Sequence, residues 1–338
     1  MSTMNPSDVH FDLMDRTPRL YEWDGGDVPA WQARLRPRLA EILGMHRMPI
    51  ERPPLNVRSL WTREHELGTI EKIVFTAEPH ADVPAYLCLP KLAEPPYTPT
   101  ICLQGHSTGM HNSIAVAFDD ETQPIEVAGD RDFGLGAMRR GVAALCIEQR
   151  YFGERAERGI ENSPGCYGAG RAFALGRTAI GERVYDVDRA IDYLATRDDM
   201  DMAKLGVMGN SGGGTISVFA AALLDRLRIA MPSCYFCTFR DSIMSLHHCI
   251  CNFVPHIMET AEMADVLGLF APRPVVVVAG KDDDIFPIDA VRSEFERLKT
   301  IYSAAGAEDR CHLVVGPEGH RFYADLAWPV ALEELGRL

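Results

Sequence analysis

The chain has 338 residues, with 34 Lys and Arg against 48 Asp and Glu, and a formal net charge of −14. Its 46% apolar and 24% charged residues are typical of a soluble globular protein and exclude disordered and fibrous classes. The acidic balance argues against nucleic acid or an anionic membrane as a partner, because either would need a basic surface patch.

The N-terminus lacks the basic and apolar regions of a secretory signal peptide. The longest uncharged run, Leu205–Leu224, contains three consecutive glycines, which a membrane helix tolerates poorly. The nine cysteines lie mostly in apolar segments, a pattern that indicates reduced thiols rather than a disulfide framework. We therefore expect a cytoplasmic protein, and we leave its homo-oligomerisation open.

The first predicted element is a helix over residues 29–45, where apolar residues recur at helical spacing. Residues 55–90 then alternate apolar and polar side chains in the manner of antiparallel strands. From residue 99, continuous apolar strands alternate with amphipathic helices. This rhythm predicts an α/β fold with a mostly parallel central sheet flanked by helices.

The predicted parallel strands are Pro99–Leu103, Val142–Glu148, Lys204–Met208, Arg228–Met231, Pro274–Ala279 and Cys311–Val315. The predicted helices between and after them are Val184–Ala195, Thr215–Leu224, a helix from Pro287 through Leu298, and Ala324–Leu338 with an interruption at Pro329. Residues 107–127, 151–180 and 232–268 fit neither pattern. The first two predict loops over the ligand-binding edge of the sheet, and the third is compatible with a small lid.

The strongest local motif is Gly209-Asn-Ser211-Gly-Gly213, which matches Gly-x-Ser-x-Gly between a predicted strand and a predicted helix. Such a sharp turn puts Ser211 in a strained backbone conformation, and a Cβ at either flanking glycine would clash across the turn. The serine oxygen then lies at a helix N-terminus, where backbone N–H groups favour negative charge. The motif predicts a nucleophilic serine. The alternatives are a plain glycine-rich connection or a phosphate-binding turn.

Two later strands end in the residue types that a serine nucleophile needs, because its hydroxyl must lose a proton to a base. The apolar strand Val275–Gly280 is followed by Asp282, Asp283 and Asp284, and the next strand is followed by His320. Alone, the aspartates would be a solvated turn or a helix cap, and His320 a surface loop residue. The order serine, acid, histidine favours a shared site at one edge of the sheet.

An oxyanion hole needs two N–H donors aimed at the developing negative charge. Gly212 supplies one donor by its position directly after the serine. The segment Ile101-Cys-Leu-Gln-Gly-His106-Ser follows an earlier strand and supplies the second donor through the backbone of His106. The competing interpretation, in which His106 is itself the base, is weaker because this histidine precedes the serine.

These motifs resemble those of the α/β-hydrolase superfamily, specifically its acetyl xylan esterase-like and dienelactone hydrolase-like branch. The run Leu103–His111 is similar to that branch's oxyanion loop, Gly-Asn-Ser-Gly-Gly-Gly to its elbow, and Ala271-Pro-Arg-Pro274 to the segment before its acid-bearing strand. The similarity covers about residues 60–338. We therefore assign residues 51–338 to an α/β-hydrolase catalytic domain, with the lid at 232–268 left open, and residues 1–50 to an N-terminal helical extension.

The resemblance implies hydrolysis of a carboxylic ester through an acyl-enzyme, with no metal and no organic cofactor. Ser211 would be the nucleophile, His320 the general base and then acid, and Asp283 the group that orients the imidazolium. The pattern Gly-x-x-Asp-x-x-apolar-Pro, from Gly280 to Pro287, selects Asp283 among its neighbours. The expected partner is a small-molecule ester with a short acyl group, such as acetyl on a sugar. The alternatives are an oligopeptidase-type peptidase or amidase and a non-catalytic binding protein.

Two further features allow more than one interpretation. Six residues of the irregular stretch 232–268 have spacings that resemble zinc ligands, namely Cys234, Cys237, His247, His248, Cys249 and Cys251. We favour packing of small, soft side chains beneath a lid, and hence no metal. Arg150 follows a strand end near the predicted site, where it would contact substrate or pair with a carboxylate, and we favour the pair.

Overall fold

The computed structural model describes residues 4–106, 108–157 and 166–338, and these residues form one sheet of nine strands. The strands are β1 (Arg58–His65), β2 (Gly68–Glu78), β3 (Ala81–Pro90), β4 (Pro99–Leu103), β5 (Ala143–Ile147), β6 (Gly206–Asn210), β7 (Ile229–Ser233), β8 (Val275–Gly280) and β9 (Cys311–Gly316). Their order across the sheet is β1-β2-β3-β5-β4-β6-β7-β8-β9. The first three strands pair antiparallel with their neighbours, and every pair from β5 to β9 is parallel.

Helices cover both faces of this sheet, as buried parallel strands require. They are α1 (Pro6–Arg16), α2 (Val28–Ile42), α3 (Phe133–Met138), α4 (Gly168–Ala174), α5 (Ala179–Ala195), α6 (Gly212–Leu223), α7 (Ile257–Thr260), α8 (Met263–Gly268), α9 (Ile288–Ala304) and α10 (Ala324–Gly336). One core joins α2, α5, α6, α8 and α9 to one face of the sheet, and a second core joins α3 and α10 to the other. No helix in the described part of the chain is long and apolar enough to cross a membrane.

The N-terminal helix α2 belongs to the larger core. Its apolar stripe, which includes Trp31 and Leu35, is buried against the helices of that layer. Its polar side chains also reach the connection between α8 and β8. Gln32 Nε2 donates to the carbonyls of Gly268 and Ala271 at 3.0 and 2.9 Å. The helix that precedes the sheet in sequence therefore braces the segment that leads into β8.

The parallel part of the sheet confirms the predicted fold, since each predicted strand lies within two residues of an observed one at either end. Five helices differ from their predictions. Helix α2 ends at Ile42 rather than at residue 45, and α9 continues six residues beyond Leu298 to Ala304. Helix α6 begins at Gly212, directly after the elbow, and α5 begins at Ala179, because the Thr178 hydroxyl accepts from Gly181 N at 2.9 Å and caps its first turn. Helix α10 continues through Pro329 without interruption, because packing of its buried face outweighs the lost hydrogen bond.

The segments that fit no pattern in the sequence contain short helical turns. Residues 232–268 include a 3-10 turn at Ile250–Asn252 followed by α7 and α8. Residues 108–127 include a 3-10 turn at Met110–Ile114. Ser107 and residues 158–165, which fall in the two predicted loops, lie outside the described residues. Described residues of all three segments line the cavity described below.

Candidate active site

Ser211 lies between β6 and α6 in a strained backbone conformation with positive φ, at φ 58° and ψ −119°. Its N–H donates to the Ser233 carbonyl at 2.9 Å, which ties the turn to β7. A Cβ at Gly213 would lie 1.9 Å from the Leu103 carbonyl oxygen, and a Cβ at Gly209 would lie 2.5 Å from the Gly213 backbone. The turn therefore requires glycine at both positions, and it holds the serine at the start of a helix.

Asp283 and His320 meet at the ends of the neighbouring strands β8 and β9. His320 Nδ1 lies 2.9 Å from Asp283 Oδ2. The Asp283 side chain is buried, whereas Asp282 and Asp284 on either side are exposed. Of the three adjacent aspartates, Asp283 is therefore the one that faces the histidine.

The surroundings of Asp283 keep its carboxylate charged. Burial alone would raise its pKa, but the hydrogen bond to His320 and the amides of Ile285 and Phe286, at 2.9 and 3.1 Å, hold the pKa below its ordinary value. A charged carboxylate accepts from Nδ1–H, so the lone pair of a neutral His320 is on Nε2. The Phe286 ring stacks on the imidazole with centroids 5.8 Å apart, which fixes its plane.

Ser211 and His320 lie on the same edge of the sheet, but no hydrogen bond joins their side chains in this structure. Phe286 connects the two, because it lines the same cavity as Ser211 while stacking on His320. Catalytic hydrogen bonds are often long without substrate and shorten in the complex. The arrangement thus supplies an oriented imidazole at the same sheet edge as a half-buried serine that lines the cavity.

The loop after β4 runs directly against the serine turn. A Cβ at Gly105 would lie 2.9 Å from the Asn210 carbonyl oxygen and 3.0 Å from Ser211 Cβ. His106 follows this close approach, and Gly212 is the first residue of α6, where backbone N–H groups lack helical partners. Within the described residues neither backbone N–H, of His106 or of Gly212, has a hydrogen-bond acceptor. Both remain available to an oxyanion.

An open cavity of about 1510 Å³ lies over these residues and is lined by Ser211 and Gly212. Ring-bearing side chains recur along its described lining, among them His111, Phe118, Tyr151, Phe152, His247 and His248. The described lining contains no carboxylate and one guanidinium, that of Arg171. A neutral or anionic organic molecule therefore suits this cavity better than a cation does.

Comparison with known proteins identifies the fold that holds these residues. No protein-family model matches the chain. The "Putative hydrolase YtaP" of Bacillus subtilis (strain 168) is 26% identical over 295 residues, which are 86% of this chain and 94% of that protein. Among solved structures, a "putative acetyl xylan esterase" from Bacteroides fragilis has a TM-score of 0.76 at 14% identity, covering 96% of this chain and 84% of that one. A glucuronoyl esterase from Solibacter usitatus has a TM-score of 0.65 at 16% identity, covering 95% and 97%.

This chain has the α/β-hydrolase fold. In this fold the serine, aspartate and histidine turns follow β6, β8 and β9, in the chain order serine, acid, histidine. Its resemblance to acetyl xylan esterases, inferred from the motifs, agrees with the structural neighbours.

Arg150 follows β5 in this α/β-hydrolase fold and is buried among carboxylates. Its Nε and Nη2 donate to both oxygens of Asp186 at 2.9 and 2.8 Å, and its Nη1 donates to Glu78 at 2.6 Å. Burial alone would lower the pKa of Arg150, but the charges of Asp186 and its neighbours raise it. The guanidinium thus faces acids of α5 and β2 and is absent from the described cavity lining. The carboxylate pairing that the sequence favoured for Arg150 is therefore present in the structure.

Glu148, which the sequence did not single out for a role, joins the loops after β4 and β5. Its carboxylate accepts from Met110 N at 3.1 Å and from Glu154 N at 3.1 Å. Burial raises its pKa to about 7. A Cβ at Gly153, where φ is +44°, would lie 1.9 Å from Glu148 Oε2. The glycine five residues after the glutamate was the signal in the sequence that this carboxylate approaches the backbone.

The structure separates the six residues with zinc-like spacing. Cys234 lies beside Asp283 and His320, and its Sγ contacts the Arg321 carbonyl at 3.1 Å. Cys237 Sγ contacts the Thr238 carbonyl at 3.1 Å. His247 and His248 line the cavity. Cys249 and Cys251 instead join His106 and Cys166, with all four ligand atoms within 4.8 Å of one another. Sequence reasoning missed this group because three separate segments of the chain contribute to it.

Proposed function

We propose that this protein is a serine hydrolase that cleaves carboxylic esters through an acyl-enzyme. The observation that carries the proposal is the buried, charged Asp283 hydrogen-bonded to His320 Nδ1 at the edge of the sheet that presents Ser211. The names of similar proteins, which include a hydrolase, an acetyl xylan esterase and a glucuronoyl esterase, support an ester as the substrate.

In the proposed reaction, Ser211 Oγ attacks the ester carbonyl carbon while His320 Nε2 takes the hydroxyl proton. The carbonyl oxygen becomes an oxyanion that accepts from the N–H groups of His106 and Gly212. The bond to the alcohol then breaks, and His320 returns the proton to the departing oxygen. Water attacks the acyl-enzyme by the same path, giving the acid and the free serine. Asp283 stabilises the imidazolium in both halves.

The proposed substrate is a small ester with a short acyl group, such as acetyl on a sugar or a similar alcohol. The cavity of about 1510 Å³ has space for an alcohol the size of a sugar, since ligand pockets commonly measure about 300–1,000 Å³. Its ring-lined wall suits stacking against such a ring.

The first test uses a fluorophosphonate probe, which reacts with activated serines. We expect labelling of the purified protein at Ser211 and loss of labelling in Ser211→Ala. The matched control is Ser303→Ala, on the exposed face of α9, which should label like the parent. A parent protein that stays unlabelled contradicts the proposal and favours a non-catalytic binding protein.

The second test measures kcat/KM for nitrophenyl esters of increasing acyl length, for acetylated sugars and for peptide amides. We expect turnover to fall as the acyl chain lengthens and to be lost in Ser211→Ala. Faster turnover of peptide amides than of any ester would replace the esterase proposal with a peptidase or amidase.

A further inference from the structure

Four side chains with metal-binding atoms converge beside the serine turn, and we call them the cysteine–histidine cluster: His106, Cys166, Cys249 and Cys251. They come from the loop after β4, the segment before α4 and the turn at Ile250–Asn252. We propose that this cluster binds one zinc ion, which crosslinks the three segments. This proposal replaces our expectation from the sequence that the protein has no metal.

The geometry of the cluster suits a closed tetrahedral site. Its four ligand atoms all lie within 4.8 Å of one another. With Zn–S bonds of about 2.3 Å, tetrahedral sulfurs stand about 3.8 Å apart, so small shifts would bring every atom to bonding distance. His106 directs Nε2 into the cluster, 2.9 Å from Cys251 Sγ. Three cysteines and one histidine fill the coordination of a structural zinc and leave no position open for substrate.

Charge supports a metal with thiolate ligands. Arg183 is wholly buried, and its Nη1 and Nη2 point at Cys251 Sγ and Cys166 Sγ, at 3.6 and 3.5 Å. Two further bonds to the Arg150 carbonyl, at 3.0 and 2.8 Å, hold the guanidinium in place. In the described part of the chain no carboxylate pairs with Arg183. Zn²⁺ with three thiolates carries one net negative charge, which this cation balances, and N–H···S bonds are the usual outer contacts of zinc thiolates.

A second group of cysteines shows how thiols pack here without such surroundings. Cys88, Cys102 and Cys146 lie on β3, β4 and β5 and are wholly buried in the second core. The side-chain partners of these thiols in the described residues are each other and Ser113. Among the residues that the structure describes, neither an imidazole nor a buried cation accompanies them. The presence of both in the cysteine–histidine cluster is what favours a metal over simple packing.

A zinc ion on His106 would also steady the oxyanion loop. A Cβ at Gly212 would lie 2.9 Å from His106 Nδ1, so the imidazole stands between the start of α6 and the cluster. Fixing Nε2 on a metal would fix the backbone N–H that we assign to the oxyanion hole. This effect on catalysis rests on the proposed function, whereas zinc binding itself does not.

The experiment measures zinc in the full-length protein, purified with a thiol reductant, by mass spectrometry of the metal. We expect about one zinc per chain, and a cobalt-substituted protein with thiolate-to-cobalt charge-transfer bands and tetrahedral d–d absorption. Cys249→Ser and Cys251→Ser should lose most of the metal and the bands. The matched control is Cys237→Ser, a buried cysteine of the same stretch outside the cluster, which should retain both.

Several results would overturn the proposal. One is a reduced, folded parent protein that binds no zinc after incubation with Zn²⁺. Another is full metal content in both serine variants. A third is a thiol titration of the denatured, unreduced protein that finds two fewer thiols than the nine cysteines, since that indicates a disulfide. If Cys251→Ser does not fold, the half-buried Cys249→Ser and the parent protein decide the question.

The same measurements separate this inference from the proposed function. A protein that binds stoichiometric zinc but is inert to the fluorophosphonate probe and to esters would refute the function and leave the metal site standing. A metal-free protein that turns over esters would refute the metal site and leave the proposed function standing. When both proposals hold, removal of zinc should lower kcat more than it changes KM, because the oxyanion donor acts in the transition state.

Discussion

The candidate active site has a triad side, with Ser211, Asp283 and His320, and a cluster side, with the cysteine–histidine cluster. The two sides are held in position in different ways. The proposed triad of Ser211, Asp283 and His320 lies one, three and four residues after the ends of β6, β8 and β9, so strand pairing sets the spacing of the three turns. The cysteine–histidine cluster lies in irregular segments that no strand pairing aligns. The triad therefore takes its precision from the sheet, whereas the cluster needs an added crosslink to hold its segments together. Changes to Asp283 or His320 should therefore leave the cluster intact, whereas loss of the cluster should affect the reaction only through the backbone of His106.

The largest effect should come from Asp283→Asn. The amide keeps the shape but favours the wrong imidazole tautomer, so we expect kcat to fall by up to about 10⁴-fold. Zinc content should stay unchanged, because the cluster does not depend on Asp283. Asp282→Asn and Asp284→Asn are the matched controls and should stay within about tenfold of the parent, a barrier change of about 1.4 kcal/mol. A control variant that is crippled while Asp283→Asn stays active would place the acid elsewhere in the turn.

The next largest effect is a pH dependence of the unfolding free energy, which comes from Glu148 beneath the loops after β4 and β5. Burial raises its pKa to about 7, so the folded state holds the proton more tightly than the unfolded state does. The resulting stability is complete below the ordinary pKa of a glutamate and is lost as pH rises to about 7 and beyond. The glutamine of Glu148→Gln cannot ionise. Between pH 5 and 8 the parent should therefore lose up to about 3 kcal/mol of unfolding free energy that the variant keeps.

Urea unfolding at pH 5, 6.5 and 8 measures this difference in unfolding free energy. The exposed Glu333→Gln serves as the control and should follow the parent at every pH. A constant offset between Glu148→Gln and the parent across this range would show that Glu148 does not titrate there. Asp283 should show the opposite pH dependence, because its pKa is lowered in the folded state. Its contribution to the unfolding free energy is present above the ordinary pKa of an aspartate and is lost as the pH falls below that value.

Arg183→Lys tests the outer contacts of the cluster. Lysine keeps the positive charge but cannot reproduce the fork that reaches both Cys251 and Cys166, so we expect zinc affinity to fall by about 10–100-fold. Competition with a chromogenic chelator measures this affinity. Arg171→Lys, an exposed cation at the same cavity, should bind zinc as the parent does. Equal affinity in Arg183→Lys and the parent would mean that the guanidinium does not support the metal.

The smallest effect that we expect is a difference in unfolding free energy between alanine substitutions at two glycines of the cavity lining. Gly153→Ala forces a side chain into a φ of +44° and against Glu148, which should lower the unfolding free energy by about 1–2 kcal/mol. Gly170 lies in α4 with nothing within 4 Å of a Cβ, so Gly170→Ala should be neutral or stabilising by up to about 1 kcal/mol. Urea unfolding of both variants checks the difference, and equal costs would contradict it.

The triad side was predictable from the sequence because its signals are local. The elbow motif identifies Ser211 within a few residues, and the pattern from Gly280 to Pro287 selects the aspartate that faces His320 in the structure. Periodicity also predicted the parallel strands. It failed at α10, where packing keeps the helix continuous through a proline that the sequence alone marks as a break.

The cluster side was not predictable, because its contacts join distant parts of the chain. His106 and Cys251 are 145 residues apart, and no local pattern pairs them. The spacing of cysteines in 232–268 was a poor guide, since Cys234 and Cys249 lie in the same stretch but join different groups. Spacing predicts a shared site where both residues lie on one regular element, and this stretch is irregular.

Helix α2 has a consequence for how the chain is made. Gln32 forms its hydrogen bond with Gly268 across 236 residues, so this contact must wait until the chain through α8, with β1 to β7, has left the ribosome. At translation rates of about 5–20 residues per second, that delay amounts to about 10–50 s. During synthesis the apolar stripe of α2 therefore lacks part of its final cover. Chaperones that bind nascent chains should engage this N-terminal segment first, and α2 should dock late in folding.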